Sequence, residues 1–248
     1  MNTIFIVSAK DPSSQWDVDL YSKYSIAAWD SYCKKYGQNL VVMRELPPQF
    51  HKAKWIKCLA HHYICDGWIA IVDADTMPAP HCPNIFSGLE ENSIYATQDG
   101  NIDWIKNSIA HYQPYFPKTQ ISPIGYFNSG VLLVHSYNVS YLKSISKFYQ
   151  RHRKTLEKDK TPCVGSDQTI LNYLASPHKV KLLSAAYNNF QQLTEEYHRL
   201  YKQQAFTEDY LDWQFPKNSY IWHFTGFPIE HRIRMMHMMW DIHKKLYD

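Results

Sequence analysis

Apolar residues occur along this chain as short unbroken runs separated by longer segments of helical spacing, the pattern of an α/β sheet covered on both faces. Residues 3–7 (Thr-Ile-Phe-Ile-Val) predict a first buried strand, ending in Ser8 and Ala9 and a polar turn through Asp11, Pro12, Ser13 and Ser14. Tyr21, Tyr24, Ala28 and Tyr32 then recur at helical spacing up to Gly37, a natural C-terminal cap. Residues 40–43 predict the second strand and complete a β-α-β opening. Between residues 51 and 64, Trp55, Ile56, Leu59 and Tyr63 form one helical face and Lys54, Lys57 and His61 another. Residues 68–72 (Trp-Ile-Ala-Ile-Val) are continuously apolar and run into Asp73-Ala74-Asp75, with Pro78 expected to stop the strand. Right-handed connection of these units builds a mostly parallel sheet with helices on both sides.

Further on, residues 93–97 predict a strand, and the aromatic, proline-containing stretch 104–123 predicts a long loop with a short helix, of the kind that often binds substrate. Residues 126–130 read as a polar, glycine-bearing turn into a strand at 131–135. Leu142, Ile145 and Phe148 mark a helix with a charged tail over 151–160. A shorter helix covers 166–174, with Ser166 as its cap and Asp167 in its first turn. Strands are expected at 180–183 and 219–224, and a closing helix at 229–247 carries Ile233, Met236 and Trp240 with basic residues. That helix could touch a membrane surface, although packing on the domain is the favoured use of its apolar stripe. There is no internal repeat or low-complexity segment.

A chain of 248 residues is long enough for one large α/β domain. With 45% hydrophobic and 20% charged residues and a formal net charge of +3, disorder and a polyelectrolyte partner are both disfavoured, nucleic acid included. Aromatic residues at 15% suit core filling and also surfaces that stack on sugar or base rings. The five cysteines (33, 58, 65, 82, 163) are odd in number and lack paired metal spacing, which fits free thiols in a reducing compartment. Residues 1–9 lack a signal-peptide pattern and no apolar run reaches membrane-spanning length, so a cytoplasmic location is expected.

The chemistry concentrates at the end of the third predicted strand. Strand alternation sends Asp73 and Asp75 to one side and the small Ala74 to the other, so two carboxylates converge at the edge where open α/β sheets bind ligands. Adjacent hard oxygen donors repel unless a cation lies between them, and a divalent ion carrying phosphates is one solution. An acidic turn is the other, and a lone Asp-x-Asp describes both. Lys57 and its neighbours would bring cations beside this strand, and the small Ser8 and Ala9 would let a flat base approach the backbone.

Four separated stretches complete the picture: Asp73-Ala74-Asp75, Phe127-Asn128-Ser129-Gly130, Ser166-Asp167-Gln168, and Trp222-His223-Phe224-Thr225-Gly226. In this order they resemble the GT-A glycosyltransferases, most closely glycosyltransferase family 8, which includes lipopolysaccharide galactosyltransferases and glycogenin. The resemblance runs from about the first strand to Gly226. It implies one GT-A domain over 1–248, with a nucleotide-binding half (1–78), a donor-sugar and acceptor half (79–228) and a C-terminal helix (229–248). It also implies metal-dependent transfer of a hexose or pentose from a UDP-sugar to a glycan or glycoconjugate, with retention, and specifies no oligomeric state.

Carried over by position, Asp73 would contact metal and ribose, Asp75 would chelate the metal, and His223 would be the third protein ligand. That oxygen and nitrogen set suits Mn²⁺ better than Mg²⁺. Asn128, Asp167 and Gln168 would hold the donor sugar, Asp167 nearest the reacting carbon. Ser8, Ala9, Lys57, Ala74, Ser129 and Gly226 would complete the donor site. One departure stands out. Members of the family follow His-x-x-Gly with a lysine that neutralises the diphosphate, whereas Ile229, Glu230 and His231 occupy those positions here, leaving Arg232 or Arg234 as substitutes. A sugar nucleotidyltransferase is the rival enzyme, although residues 8–12 are poor in the glycine its phosphate loop needs. A carbohydrate-binding protein that kept the fold without turnover is the other rival.

Overall fold

The first apolar run folds as β1 (Thr3–Val7), with Ile4, Phe5 and Ile6 fully buried. The structure is a computed structural model that describes residues 1–12, 17–159, 161, 164–202 and 215–247; the expected turn at Ser13 and Ser14, and Cys163, lie outside the described residues. Helix α1 (Asp19–Tyr36) crosses from β1 to β2 (Asn39–Met43) and stops at Gly37, whose φ of 63° is the left-handed geometry glycine adopts without a Cβ penalty. β1 pairs in parallel with β2 and with β3 (Trp68–Asp73), and the register Val7↔Met43 and Val7↔Asp73 ends all three strands at one edge.

β6 (Phe127–His135) lies antiparallel between β3 and β5 (Ser93–Gln98), and β7 (Lys179–Leu183) adds parallel to β5. The sheet order is β2-β1-β3-β6-β5-β7, so β6 alone reverses an otherwise parallel α/β sheet, as expected. Strand alternation divides the core. Ile4, Ile6, Ala70 and Val72 pack with Trp29 and Tyr32 of α1 on one face. Phe5, Ile69 and Ile71 share the other face with Trp55, Ile56 and residues of α3 (Val139–Lys158) and α4 (Ser166–Ala175).

Several predicted elements change form. Residues 51–64 yield a 3-10 helix over Ala53–His62 rather than an α-helix. Three residues per turn stack Lys54 over Lys57, which aims both ammonium groups toward α4. Phe127–Gly130 is not a turn but the start of β6, buried throughout; its polar side chains are satisfied inside the site, and the register with β5 shifts between Ala96 and Thr97. The stretch from Trp104 contains a fuller helix than expected, α2 (Ile102–Tyr112), whose Asn101 cap accepts from the Trp104 amide. Gly165, not Ser166, occupies the cap position of α4, and Ser166 opens the helix.

Pro78 does not end the sheet structure. A turn at Ala74 and Asp75 breaks β3, and Thr76–Pro78 resumes as β4, antiparallel to β8 (Ile221–His223) in a separate two-stranded sheet with Thr76 opposite His223. Pro78 sits at its last position, where the missing N–H costs little. After β7, α5 (Gln191–Lys202) and the single turn α6 (Phe215–Asn218) lead to β8. The closing α7 (Ile229–Tyr247) buries Met235, Met236 and Met239 in a cluster with Ala28 of α1 and Met77 of β4. Its apolar stripe is therefore used in packing, and among the described residues no exposed large hydrophobic side chain lies on it. No described helix is long and apolar enough to cross a membrane. Cys33, Cys58, Cys65 and Cys82 are free thiols.

Candidate active site

The parallel edge where β1, β2 and β3 end opens into a cleft of about 570 Å³. Asp73 closes β3 and Asp75 lies in the turn after it, while the β4–β8 pairing carries His223 to the same place. The Phe224 amide donates to the Asp75 carbonyl at 2.9 Å, locking the turn to the end of β8. One ligand atom each from Asp73, Asp75 and His223 falls within 4.8 Å of the others. The histidine's protonation geometry follows from its neighbours. Asn188 donates through Nδ2 to Asn128 Oδ1 at 2.9 Å, so its Oδ1, 2.7 Å from His223 Nδ1, accepts the proton of that nitrogen. Nε2 thereby keeps its lone pair. It is buried without a hydrogen-bond partner and lies 3.4 Å from Asp75 Oδ1 without hydrogen-bond alignment. Two carboxylates and an orphaned imidazole nitrogen held by its far side fit a divalent ion with mixed oxygen and nitrogen ligands.

The carboxylates already have cations of the chain beside them. Lys57 is buried, with Nζ 2.6 Å from Asp73 Oδ1 and 3.3 Å from Asp167 Oδ2, and 3.4 Å from both the carbonyl and the hydroxyl of Ser129. Burial alone would lower the Lys57 pKa; Asp73 and Asp167 outweigh it and raise it above the ordinary lysine range. For Asp73, burial raises the carboxyl above its usual range, Lys57 opposing and Asp75 adding to the effect. Asp75 goes the other way: burial pushes upward, but Arg232 and His223 hold it well below the usual carboxylate range. Arg232 reaches in from the first turn of α7, its NH1 3.2 Å from Asp75 Oδ2 and its guanidinium over the Tyr21 ring at 5.3 Å. Of the two substitute cations suggested by the sequence, Arg232 lines the cleft and Arg234 does not.

The predicted sugar-holding residues form one buried network. Asn128 Nδ2 and Gln168 Nε2 both donate to Asp99 Oδ2, at 3.2 and 3.0 Å, and the Ser129 amide donates to Gln168 Oε1 at 3.1 Å. Asp167 is buried beside them; burial raises its pKa, but Lys57 and Lys54 together pull it below the ordinary range. Lys54 also donates to the Ser166 hydroxyl, which itself contacts Asp167 Oδ1 at 3.3 Å. Ala9 and Ala74 line the cleft. Ser8 is adjacent, but its hydroxyl donates to Ser22 at 2.7 Å, so Val7 and Ala9 supply the cleft wall there instead. Gly226 does not line the cleft; it takes a φ of 80° in the turn that brings Thr225 and Phe227 to the wall.

Asp99, Asn188 and Tyr21 had no assigned role in the sequence reading. Asp99 follows a strand and Asn188 sits in a connection, neither with a spacing that marks it. Gly130 lies within β6 rather than in a turn. Its real constraint is His223: a Cβ there would meet the imidazole Cε1 at 2.3 Å.

No protein-family model and no curated protein matches this sequence. Solved structures do match. A glycosyltransferase involved in the glycosylation of the major capsid of PBCV-1 superposes with a TM-score of 0.59 at 13% identity, over 96% of this chain and 98% of that one. The glycosyltransferase GlyE of Streptococcus pneumoniae TIGR4 superposes with a TM-score of 0.54 at 16% identity, over 97% of this chain but 61% of its own length. At these identities the likeness establishes the fold, and that fold is the GT-A α/β architecture the four sequence stretches implied.

Proposed function

We propose that this chain is a metal-dependent glycosyltransferase that moves a hexose or pentose from a UDP-sugar to a hydroxyl of a glycan or glycoconjugate, with retention at the anomeric carbon. The observation that carries the reading is the convergence of Asp73, Asp75 and the lone-pair nitrogen of His223 at the ligand-binding edge of a GT-A sheet. These three residues would hold Mn²⁺ or Mg²⁺, which when bound supplies positive charge to the departing diphosphate.

The chain's own groups account for the rest. Val7 and Ala9 give a flat base access to the end of β1, and Tyr21 adds an aromatic wall. Asp99 fixes the amide nitrogens of Asn128 and Gln168 while their oxygens accept from within the chain, so the second N–H of each amide would meet donor hydroxyls in a set orientation. Asp167, ion-paired to a buried lysine, is poorly suited to take a proton from an acceptor, and better suited to face positive charge developing on the sugar. In the retaining path the bond from the anomeric carbon to the phosphate oxygen breaks, the acceptor oxygen bonds to that carbon from the same side, and the acceptor's proton passes to the departing phosphate oxygen.

Incubating the protein with UDP-sugars and a glycan panel, with Mn²⁺ or with EDTA, tests the activity by donor consumption. Metal-dependent transfer is expected, and Asp75→Ala and His223→Ala should each lower it by about a hundredfold or more. Wild-type turnover in either variant would remove that residue from the mechanism. A β-linked first product from an α-linked donor, seen by proton NMR, would overturn retention.

A further inference from the structure

Asp75 is held on both sides by the chain itself: Oδ1 faces His223 Nε2 at 3.4 Å and Oδ2 faces Arg232 NH1 at 3.2 Å. A divalent ion seated between Asp73 and Asp75 would therefore share a carboxylate with a guanidinium, and like charges around a buried carboxylate repel strongly. We propose that Arg232 is an exchangeable counter-ion, paired with Asp75 until the donor's diphosphate draws it away, and that this exchange makes the divalent ion and the nucleotide bind cooperatively. The inference rests on the donor and metal reading given above.

Three features make Arg232 the cation that moves. Its Nε is buried without a hydrogen-bond partner, so one edge of the guanidinium fork is unused while Asp75 holds the other. A planar fork matches phosphate oxygens as well as it matches a carboxylate. The Tyr21 side chain, whose ring lies 5.3 Å away and whose hydroxyl also interacts with the guanidinium, favours the cation while carrying no charge that competes with a diphosphate. Arg232 also lies in the first turn of α7, a 19-residue helix whose N-terminal end attracts an anion to the same place. Lys57 has none of this freedom. It is buried between Asp73 and Asp167 and held by the Ser129 carbonyl, so its charge stays where it is.

The consequence is thermodynamic. If diphosphate removes the guanidinium from Asp75, nucleotide raises metal affinity, and metal must raise nucleotide affinity by the same factor. Mn²⁺ alone then binds weakly, because it must work against Arg232. This role also fits the departure from the family pattern, since a cation that alternates between a metal ligand and a phosphate does more than a fixed lysine would.

The test is the Mn²⁺ affinity of the purified protein with and without UDP, read from the electron paramagnetic resonance of free Mn²⁺, a signal independent of turnover. Wild type should show coupling. Arg232→Gln should bind Mn²⁺ alone on the order of tenfold more tightly, with the enhancement by UDP shrinking by a similar factor. Arg232→Lys keeps the charge and loses the fork, so its Mn²⁺ affinity alone should stay near wild type while the coupling falls; it serves also if Arg232→Gln does not fold. Metal affinity unchanged in Arg232→Gln, or full coupling in either variant, would overturn the exchange while leaving the donor site standing. Wild type that binds neither Mn²⁺ nor UDP would overturn both readings.

Discussion

Gly130 shows how closely the site depends on single residues. The imidazole of His223 packs against Gly130, where a methyl group would fall 2.3 Å from Cε1 and 2.7 Å from Nδ1. His223 is 2% exposed and has no room to retreat, so Gly130→Ala must turn the ring or bend β6. Either change disturbs the Nδ1 contact to Asn188 that leaves Nε2 its lone pair. Gly130→Ala should remain folded and lose about tenfold or more in Mn²⁺ affinity measured with UDP present; undiminished affinity would show that the ring does not need this position. The proposed metal ligands were legible in the sequence because Asp-x-Asp at a strand end and a histidine before Gly226 are chemically unusual in combination. Asp99 and Asn188 were not. A single acid or amide in a connection has many ordinary uses, and only the fold brings these two to Asn128, Gln168 and His223.

At the level of elements, legibility followed apolar composition. Short, mainly apolar runs marked β1, β2, β3, β5 and β7 close to their observed limits, in the buried β1 and β3 and also in β2 and β7, which are only partly buried at the two sides of the sheet. Phe127–Gly130 misled for the opposite reason: its Asn, Ser and Gly belong to turns in most settings, yet here a buried network satisfies them inside β6. The strand expected at 219–224 appears as β8, but its pairing with β4 could not be read, since each strand has three residues and the partners are far apart in the chain. α7 stabilises that small sheet from outside. Its His243 is 1% exposed, and burial lowers its pKa to about 4, with the Pro78 carbonyl of β4 in partial opposition. Between pH 6.5, the ordinary histidine value, and about 4, the unfolded chain binds a proton here that the folded chain excludes. The stabilising contribution is thus complete above pH 6.5 and declines as pH falls through that window. Urea unfolding across this range should show a steeper loss for wild type than for His243→Gln; parallel curves would place the proton elsewhere.

Across the whole molecule, the sheet edge collects two carboxylates, a histidine and two cations from four separate parts of the chain, and the GT-A fold is what brings them together. Lys57 arrives from the 3-10 helix, Asp73 and Asp75 from the end of β3, His223 from β8 and Arg232 from α7, with Asp167 of α4 behind them. The fold class and the order of the motifs were readable because each motif lies next to an apolar run that fixes its place. The charge arrangement was not, because ion pairing between distant elements leaves no periodic trace in a sequence. Central to the account is that Asp73, Asp75 and His223 join a divalent ion to the diphosphate of a nucleotide. Isothermal titration of UDP into the protein tests it directly: binding about tenfold tighter or more with Mn²⁺ than with EDTA is the predicted result, and equal affinity in the two conditions would contradict it.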